Sequence, residues 1–243
     1  MKYVFSALLL FFSFYQNVIA QVTGGNAFQT QSIYTGYAVS GNDVVLPVTI
    51  SSSAYGGKPY FSKNWVSGSV TTTDKNTFSD GLVFLYDKVN GVLYFKNKDS
   101  NTIMKADMSK ISSFALVTDK SHIFINGNLI SKDYNGKFFE VLLLDEKHYS
   151  FFKLTETALE HNETSKASQA MTQDISAGSY VDTDKYFVFV DGNLQQVELK
   201  KKRLPEVLGK DEDKAENYIK SKNGNFNETY VVNMLTAIND QLN

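Results

Sequence analysis

Short apolar runs with a period of two, cut at intervals by Asx-Gly dipeptides, dominate the chain from about residue 43 to residue 199. Alternate side chains of a strand point to opposite faces, so the pattern predicts β-strands. Asn, Asp and Gly tolerate the positive φ of type I′ turns, whose twist matches that of paired strands. The dipeptides are Asp80-Gly81, Asn90-Gly91, Asn126-Gly127, Asn135-Gly136, Asp191-Gly192 and Asn223-Gly224, all but the last among strand-like segments. The clearest hairpin runs over Leu82 to Tyr86, turns through Asp87 to Gly91, and returns over Val92 to Lys96. Further strands are expected at 43–50, 68–72, 102–106, 113–117, 122–125, 138–144, 148–154, 185–190 and 194–199. Such spacing reads as an antiparallel meander, barrel or sandwich.

Two runs are apolar on both sides. In the segment 138–144, strict alternation places Phe139, Val141 and Leu143 on one face and Phe138, Leu142 and Leu144 on the other. Tyr186 to Val190 has the same character, so both faces of the sheet need a cover. After Leu199 the period lengthens. A helix is expected at 204–210 with Pro205 in its first turn, and a second from Asp211-Glu212-Asp213 to Lys220 and Lys222, before Asn223-Gly224. A third, at 227–241, carries an apolar stripe of Val231, Leu235, Ile238 and Leu242. Strands followed by helices predict an α+β fold, mainly antiparallel β (meander, partial barrel or sandwich), with a C-terminal helical segment at 200–243 packed on the sheet.

The stretches 21–42 and 155–179 fit neither period. The first is expected as a polar N-terminal segment. The second is expected as a long polar loop inside the β domain at 43–199, with room for a short helix around 165–172.

Residues 1–20 combine Lys2, an apolar run from Ala7 to Phe14, and Val18-Ile19-Ala20 before Gln21. This is the pattern of a secretory signal peptide. The run is too short to span about 30 Å of hydrocarbon, so an exported chain, periplasmic or extracellular, with no transmembrane segment in its mature form is expected. The 223 residues from Gln21 onward can bury a core without covalent staples, and the chain has no cysteine. Thiol nucleophiles, thiolate zinc sites and iron–sulfur clusters are thereby excluded. Loss of Lys2 leaves 23 basic against 26 acidic residues, and Arg203 is the lone arginine. Nucleic acid is not expected as a partner, since its binders concentrate a basic surplus on one face.

The order of residues from Trp65 onward resembles an uncharacterised family of exported proteins from Bacteroidota. The features that carry the resemblance are Trp65 and Gly68, Asp80-Gly81, the aromatic hairpin from Phe84 to Phe95, Ser113-Phe114, Phe139-Glu140-Val141-Leu142, and the Lys-rich tail from Lys200 to Asn243. The turn at Asp145 to Lys147 departs from the pattern, in which a glycine is usual. The resemblance implies export and a β-rich fold. It implies no activity, ligand or catalytic residue.

Candidate chemistry is sparse. His122, His148 and His161 lack the spacing of a metal site, and are expected as ordinary strand (His122, His148) and loop (His161) histidines. Val66-Ser67-Gly68-Ser69-Val70 is no nucleophile elbow and reads as the start of a strand or a bulge. In Ser150-Phe151-Phe152-Lys153, residues three apart on a strand face opposite ways, so the lysine cannot serve the serine. Glu140 is the one acid set in a strongly apolar strand. Burial would raise its pKa and suit a general acid, whereas a place at a sheet edge or pairing with a strand lysine such as Lys153 would make it structural, which is the reading taken. Asp182-Thr183-Asp184 reads as a turn and Asp211-Glu212-Asp213 as a helix start, neither as a calcium loop. Lys200 to Arg203 reads as a solvated corner rather than a lipid-headgroup site. Asn162 and Asn227 sit in glycosylation sequons, relevant only to a eukaryotic pathway. Tyr60, Phe61 and Trp65 would suit sugar stacking or a partner hot spot if exposed, with Trp65 as a core anchor the reading preferred.

No catalytic, cofactor-binding or metal residue is assigned from the sequence. The expectation is an exported cell-envelope protein, a non-enzymatic module for an unknown envelope ligand or protein. The alternatives are a carboxylate-dependent glycan hydrolase and a periplasmic lipid carrier.

Overall fold

A computed structural model describes residues 56–161 and 178–242. The expected signal peptide, the polar segment 21–42, the strand at 43–50 and the helix around 165–172 lie outside the described residues.

Among the described residues, twelve strands precede three α-helices. The strands are β1 (Gly56–Gly57), β2 (Gly68–Thr72), β3 (Thr77–Phe78), β4 (Leu82–Asp87), β5 (Val92–Asn97), β6 (Met104–Lys105), β7 (Ile111–Val117), β8 (Ser121–Asn126), β9 (Phe138–Leu143), β10 (Ser150–His161), β11 (Gly178–Val190) and β12 (Asn193–Val197). The helices are α1 (Leu204–Val207), α2 (Glu212–Ser221) and α3 (Glu228–Leu242). The fold is α+β, mainly antiparallel, with a C-terminal helical segment, as the periodicity leads one to expect. Nine strands form an open sheet in the order β1-β11-β10-β9-β8-β7-β2-β3, with β12 also paired to β11; β4, β5 and β6 form a second, small sheet. Among the described strands only β1 and β11 run parallel.

Three apolar clusters show why the central strands are apolar on both sides. At one end of the large sheet, Val70, Phe114, Leu116, Phe124 and Phe138 pack against Leu82, Phe84, Leu93, Phe95 and Met104 of the small sheet. At the other end of that face, Phe151, Val188 and Val190 pack against Leu204, Ala215, Val231, Met234, Leu235 and Ile238 of the helical tail. On the opposite face, Ile125, Phe139, Phe152, Leu154 and Phe187 lie under Ile130 and Tyr134 from the turns after β8. The sheet therefore carries two separate covers on one face, with a seam between them.

The apolar stripe of α3 drives its docking. Val231, Met234, Leu235 and Ile238 are all within 1 % of complete burial, and at roughly 2 kcal/mol each they contribute about 8 kcal/mol before the entropy of ordering the helix. Asn239, also buried, fixes the register: its Oδ1 accepts the backbone N–H of Tyr149 at 3.1 Å and its Nδ2 donates to the Tyr149 carbonyl at 2.9 Å. A helix side chain thus satisfies strand backbone groups where β10 begins. The Tyr149 hydroxyl donates to Asp211 at 2.7 Å, tying the start of α2 to the same point.

Local departures from the expected pattern have identifiable causes. In β9 the register against β10 slips, Phe151 lying opposite Leu143 and Phe152 opposite Val141. The extra residue is a bulge, so Leu142 and Leu143 both pack toward the helices, and Leu144 joins the cluster on the opposite face with Val141. Residues 155–161 and 178–179, expected within a loop, belong to the long β10–β11 hairpin, which is paired from Ser150↔Phe189 to His161↔Gly178. Those strand ends project beyond the apolar core, so polar side chains suit both of their faces and the apolar signal of a strand is missing.

Asp191 (φ 48°) and Gly192 (φ 80°) form the expected two-residue hairpin turn between Val190 and Asn193. Asn126-Gly127 does not. Gly127 opens a short helical turn, and a Cβ there would lie 2.4 Å from the Tyr134 carbonyl oxygen. Gly68 is likewise a close-approach glycine, its missing Cβ falling 2.1 Å from the Ala115 oxygen on β7.

Candidate functional site

The seam on the two-cover face is polar. Lys153 on β10 lies opposite Glu140 on β9 and Tyr186 on β11, while Glu140 lies opposite Phe124 on β8. His122 is two residues before Phe124 and so shares its face. The row His122, Glu140, Lys153, Tyr186 crosses four adjacent strands between the small-sheet cover and the helices. Glu140 is 5 % exposed, and both its oxygens are engaged: Oε1 by His122 Nδ1 at 2.7 Å and Oε2 by Lys153 Nζ at 2.8 Å. Glu228, in the first turn of α3, accepts from Lys153 at 3.3 Å and from the Tyr186 hydroxyl at 2.9 Å. Asp119 lies 3.4 Å from His122 Nε2, and Phe61 meets the imidazole edge-on at 4.9 Å.

The electrostatics of this row oppose acid catalysis. Burial pushes the Glu140 carboxyl up, but the hydrogen bonds and charges of Lys153 and His122 outweigh it and hold the group below its ordinary value of 4.5. Burial pulls Lys153 down, and Glu140, followed by Glu228 and Asp184, reverses this and holds it up. A glycosidase acid needs the opposite, a carboxyl kept protonated near neutrality. The expected rise at Glu140 is therefore corrected by partners of opposite charge, while the expected pairing with Lys153 is present.

The row continues along the hairpin. Thr155 and Thr157 donate to Asp184 and Asp182, each at 2.6 Å, and Lys88 from the β4–β5 turn pairs with Asp182. Asp182 and Asp184 are thus strand residues in cross-strand pairs and not a turn. Asp211-Glu212-Asp213 does start a helix, with Asp211 buried against Tyr149 and paired with Lys214 at 2.8 Å.

Aromatic chemistry gathers elsewhere, on the side of the small sheet turned away from the core. Directly paired residues share a face. Phe84↔Phe95 and Tyr86↔Leu93 face inward, and Val83↔Lys96 and Leu85↔Tyr94↔Lys105 face outward. Residues 60–66 run beside β4 through bridges Tyr60↔Asp87 and Val66↔Phe84. Phe61 and Val66 pack into the core, and Trp65 turns outward beneath Lys96, whose Nζ stands 5.4 Å from the indole centroid. Trp65, Tyr60 and Tyr94 are each half-buried. Burial first, then Asp87, Tyr94 and Tyr180, push the Tyr60 phenol upward, so these groups share one neighbourhood. Asp87 itself is buried and accepts the backbone N–H and side-chain amide of Asn90. Trp65 is accordingly not a core anchor, because its neighbour Val66 takes the inward position.

The other candidates stay apart. His148 lies in the turn before β10, not beside His122, with its N–H on Asp145 at 2.8 Å. His161 closes β10 opposite Gly178 and is a strand residue. Ser150 donates to the Asp145 carbonyl and Lys153 faces the seam, so the two do not meet. Lys200 and Arg203 pair with Glu198 and Glu206 at an exposed corner. Among the described residues no group of three or more His, Asp and Glu could hold a metal ion, and no helix is long and apolar enough to cross a membrane. Against protein families, curated proteins and solved structures, the chain matches no family model, no curated protein and no solved structure.

Proposed function

We propose that the protein is an exported cell-envelope protein that works by binding rather than by catalysis, with the outward face of the small sheet as its binding surface. The observation that carries this reading is the half-buried set of Tyr60, Trp65 and Tyr94 on a face turned away from the core. Large amphipathic rings placed toward solvent on a rigid sheet are the usual anchors of recognition. The seam offers no such opening, since its carboxylate and ammonium neutralise each other. Export rests on the signal-like residues 1–20 and on the resemblance to exported Bacteroidota proteins. The carrier reading is less well supported, because the layer between sheet and helices is filled by side chains such as Phe151, Val188, Val231 and Leu235, each fully buried. Native mass spectrometry of the protein purified from the periplasm of an exporting host tests the reading. A reproducible extra mass, lost in Tyr94→Ala and retained in Glu140→Gln, is the expected result. A detected hydrolytic activity abolished by Glu140→Gln in a folded protein would overturn it.

A further inference from the structure

Resting on that reading, we infer that the small sheet's outward face takes an acidic saccharide, with sugar rings against Trp65 and Tyr94 and carboxylate groups against Lys96 and Lys105. Two features of this face point to that class. Its rings are Trp and Tyr, with Leu85, paired to Tyr94 on the same face, buried. The C–H groups on one side of a pyranose ring carry partial positive charge and settle on the negative face of an aromatic ring. The phenol groups of Tyr60 and Tyr94 supply hydrogen-bonding edges to hydroxyl groups at the rim.

The second feature is charge. Lys96 stands two residues after Tyr94 on β5 and Lys105 lies opposite Tyr94 on β6, and among the described residues neither is in an ion pair. The acids nearby are already committed: Asp87 is buried in its turn with Asn90, and Asp182 is held by Lys88. Among the described residues the face therefore presents two lysines outside any ion pair beside aromatic rings. The ammonium of half-buried Lys96 already lies over the indole, a cation–π contact that a carboxylate partner can replace. A uronic acid stacked on the indole brings its carboxylate to that same ammonium. A neutral sugar uses the rings and leaves the lysines idle.

Trp65 is the single tryptophan in the chain, so its emission reports this face alone. The test is titration of the exported protein with hexagalacturonate, with maltohexaose and phosphatidylglycerol vesicles as comparisons. A saturable change with hexagalacturonate is expected, weakened about tenfold in Lys96→Gln and by raised salt, as screened charges require. Tyr94→Ala weakens it similarly, and Lys105→Gln provides a second surface variant should the tyrosine change disturb the fold. Equal responses to both oligosaccharides would overturn the assignment to acidic sugars, as would a response to vesicles alone. An extra mass in native spectrometry without any response to hexagalacturonate would sink the saccharide assignment and leave the binding reading standing. Neither mass nor response would sink both.

Discussion

Replacing Lys153 by Met removes one of the two side chains that hold Glu140. The pair is well shielded, with side-chain exposures of 16 % for the lysine and 6 % for the glutamate at a separation of 2.8 Å. Breaking a buried pair by deleting one partner costs about 3–5 kcal/mol when the survivor is left alone. Here the survivor keeps His122 at 2.7 Å as a donor, and Glu228 keeps the Tyr186 hydroxyl, so the expected cost is about 2–3 kcal/mol. For a chain of this length each kcal/mol moves the thermal midpoint by about 2–4 °C, which predicts a fall of about 5–10 °C. The double variant Glu140→Gln, Lys153→Met removes both charges and leaves nothing stranded, so its cost should be well below the sum of the two single costs. Urea denaturation followed by far-UV circular dichroism on the four-member cycle measures the coupling. Additivity within about 0.5 kcal/mol would show that the two groups do not depend on each other, and would refute the reasoning. A single-variant cost typical of an exposed ion pair, about 0.5 kcal/mol, would refute it equally.

Asn239→Leu keeps the helix stripe but strands the buried N–H and C=O of Tyr149, and should cost about 2–4 kcal/mol, with faster hydrogen exchange at the start of β10. Tyr149→Phe loses the bonds to Asp211 and the Leu208 carbonyl, and should cost about 1.5–3 kcal/mol and make the helical tail more sensitive to limited proteolysis. Gly68→Ala places a methyl 2.1 Å from the Ala115 oxygen, and should cost about 1–3 kcal/mol in thermal denaturation. The depressed Glu140 pKa means that its stabilisation is full above the ordinary 4.5 and is lost as pH falls through the lower folded value. The stability gap between the native protein and Glu140→Gln should therefore close in acid, as read by denaturant midpoints at several pH values. Burial, then Asp87, raises Tyr86 to about 12; its contribution is full below 10 and is lost as pH rises through 12, which spectrophotometric titration of tyrosinate alongside circular dichroism will show.

The strands were legible wherever an apolar face met a cover. The stretch 68–72 is observed as expected, and the hairpin of β4 and β5 extends its expected runs by a residue at each C-terminal end. The pairing of Glu140 with Lys153 was legible because an acid amid apolar neighbours needs a cation on an adjacent strand. His122 as its other partner was not, since that depends on the β8–β9 register. Leu143 and Leu144 both lie on the side opposite to the one strict alternation gives them, because a bulge shifts the period without marking the sequence. Thr155 to His161 was missed because strands that leave the core no longer need apolar residues. Asn239 sits among apolar stripe residues and its use is visible only once Tyr149 is placed opposite it. Trp65 was misplaced for a local reason: the inward direction at 65–66 goes to Val66, and the indole has the other side.

Strands β1, β3 and β6 are only two residues long. Each lies at a border of its sheet, where a row of unpaired backbone groups would otherwise template the addition of another chain. Two residues offer too few hydrogen bonds to hold a foreign strand in register, so these borders resist edge-to-edge aggregation by brevity rather than by charge. Among the described border strands of the large sheet, β12 at five residues is the longest, and its exposed Gln195 and Gln196 leave it without a repelling charge. At high concentration, self-association of this protein should begin there, and a lysine at either glutamine is the change that would suppress it.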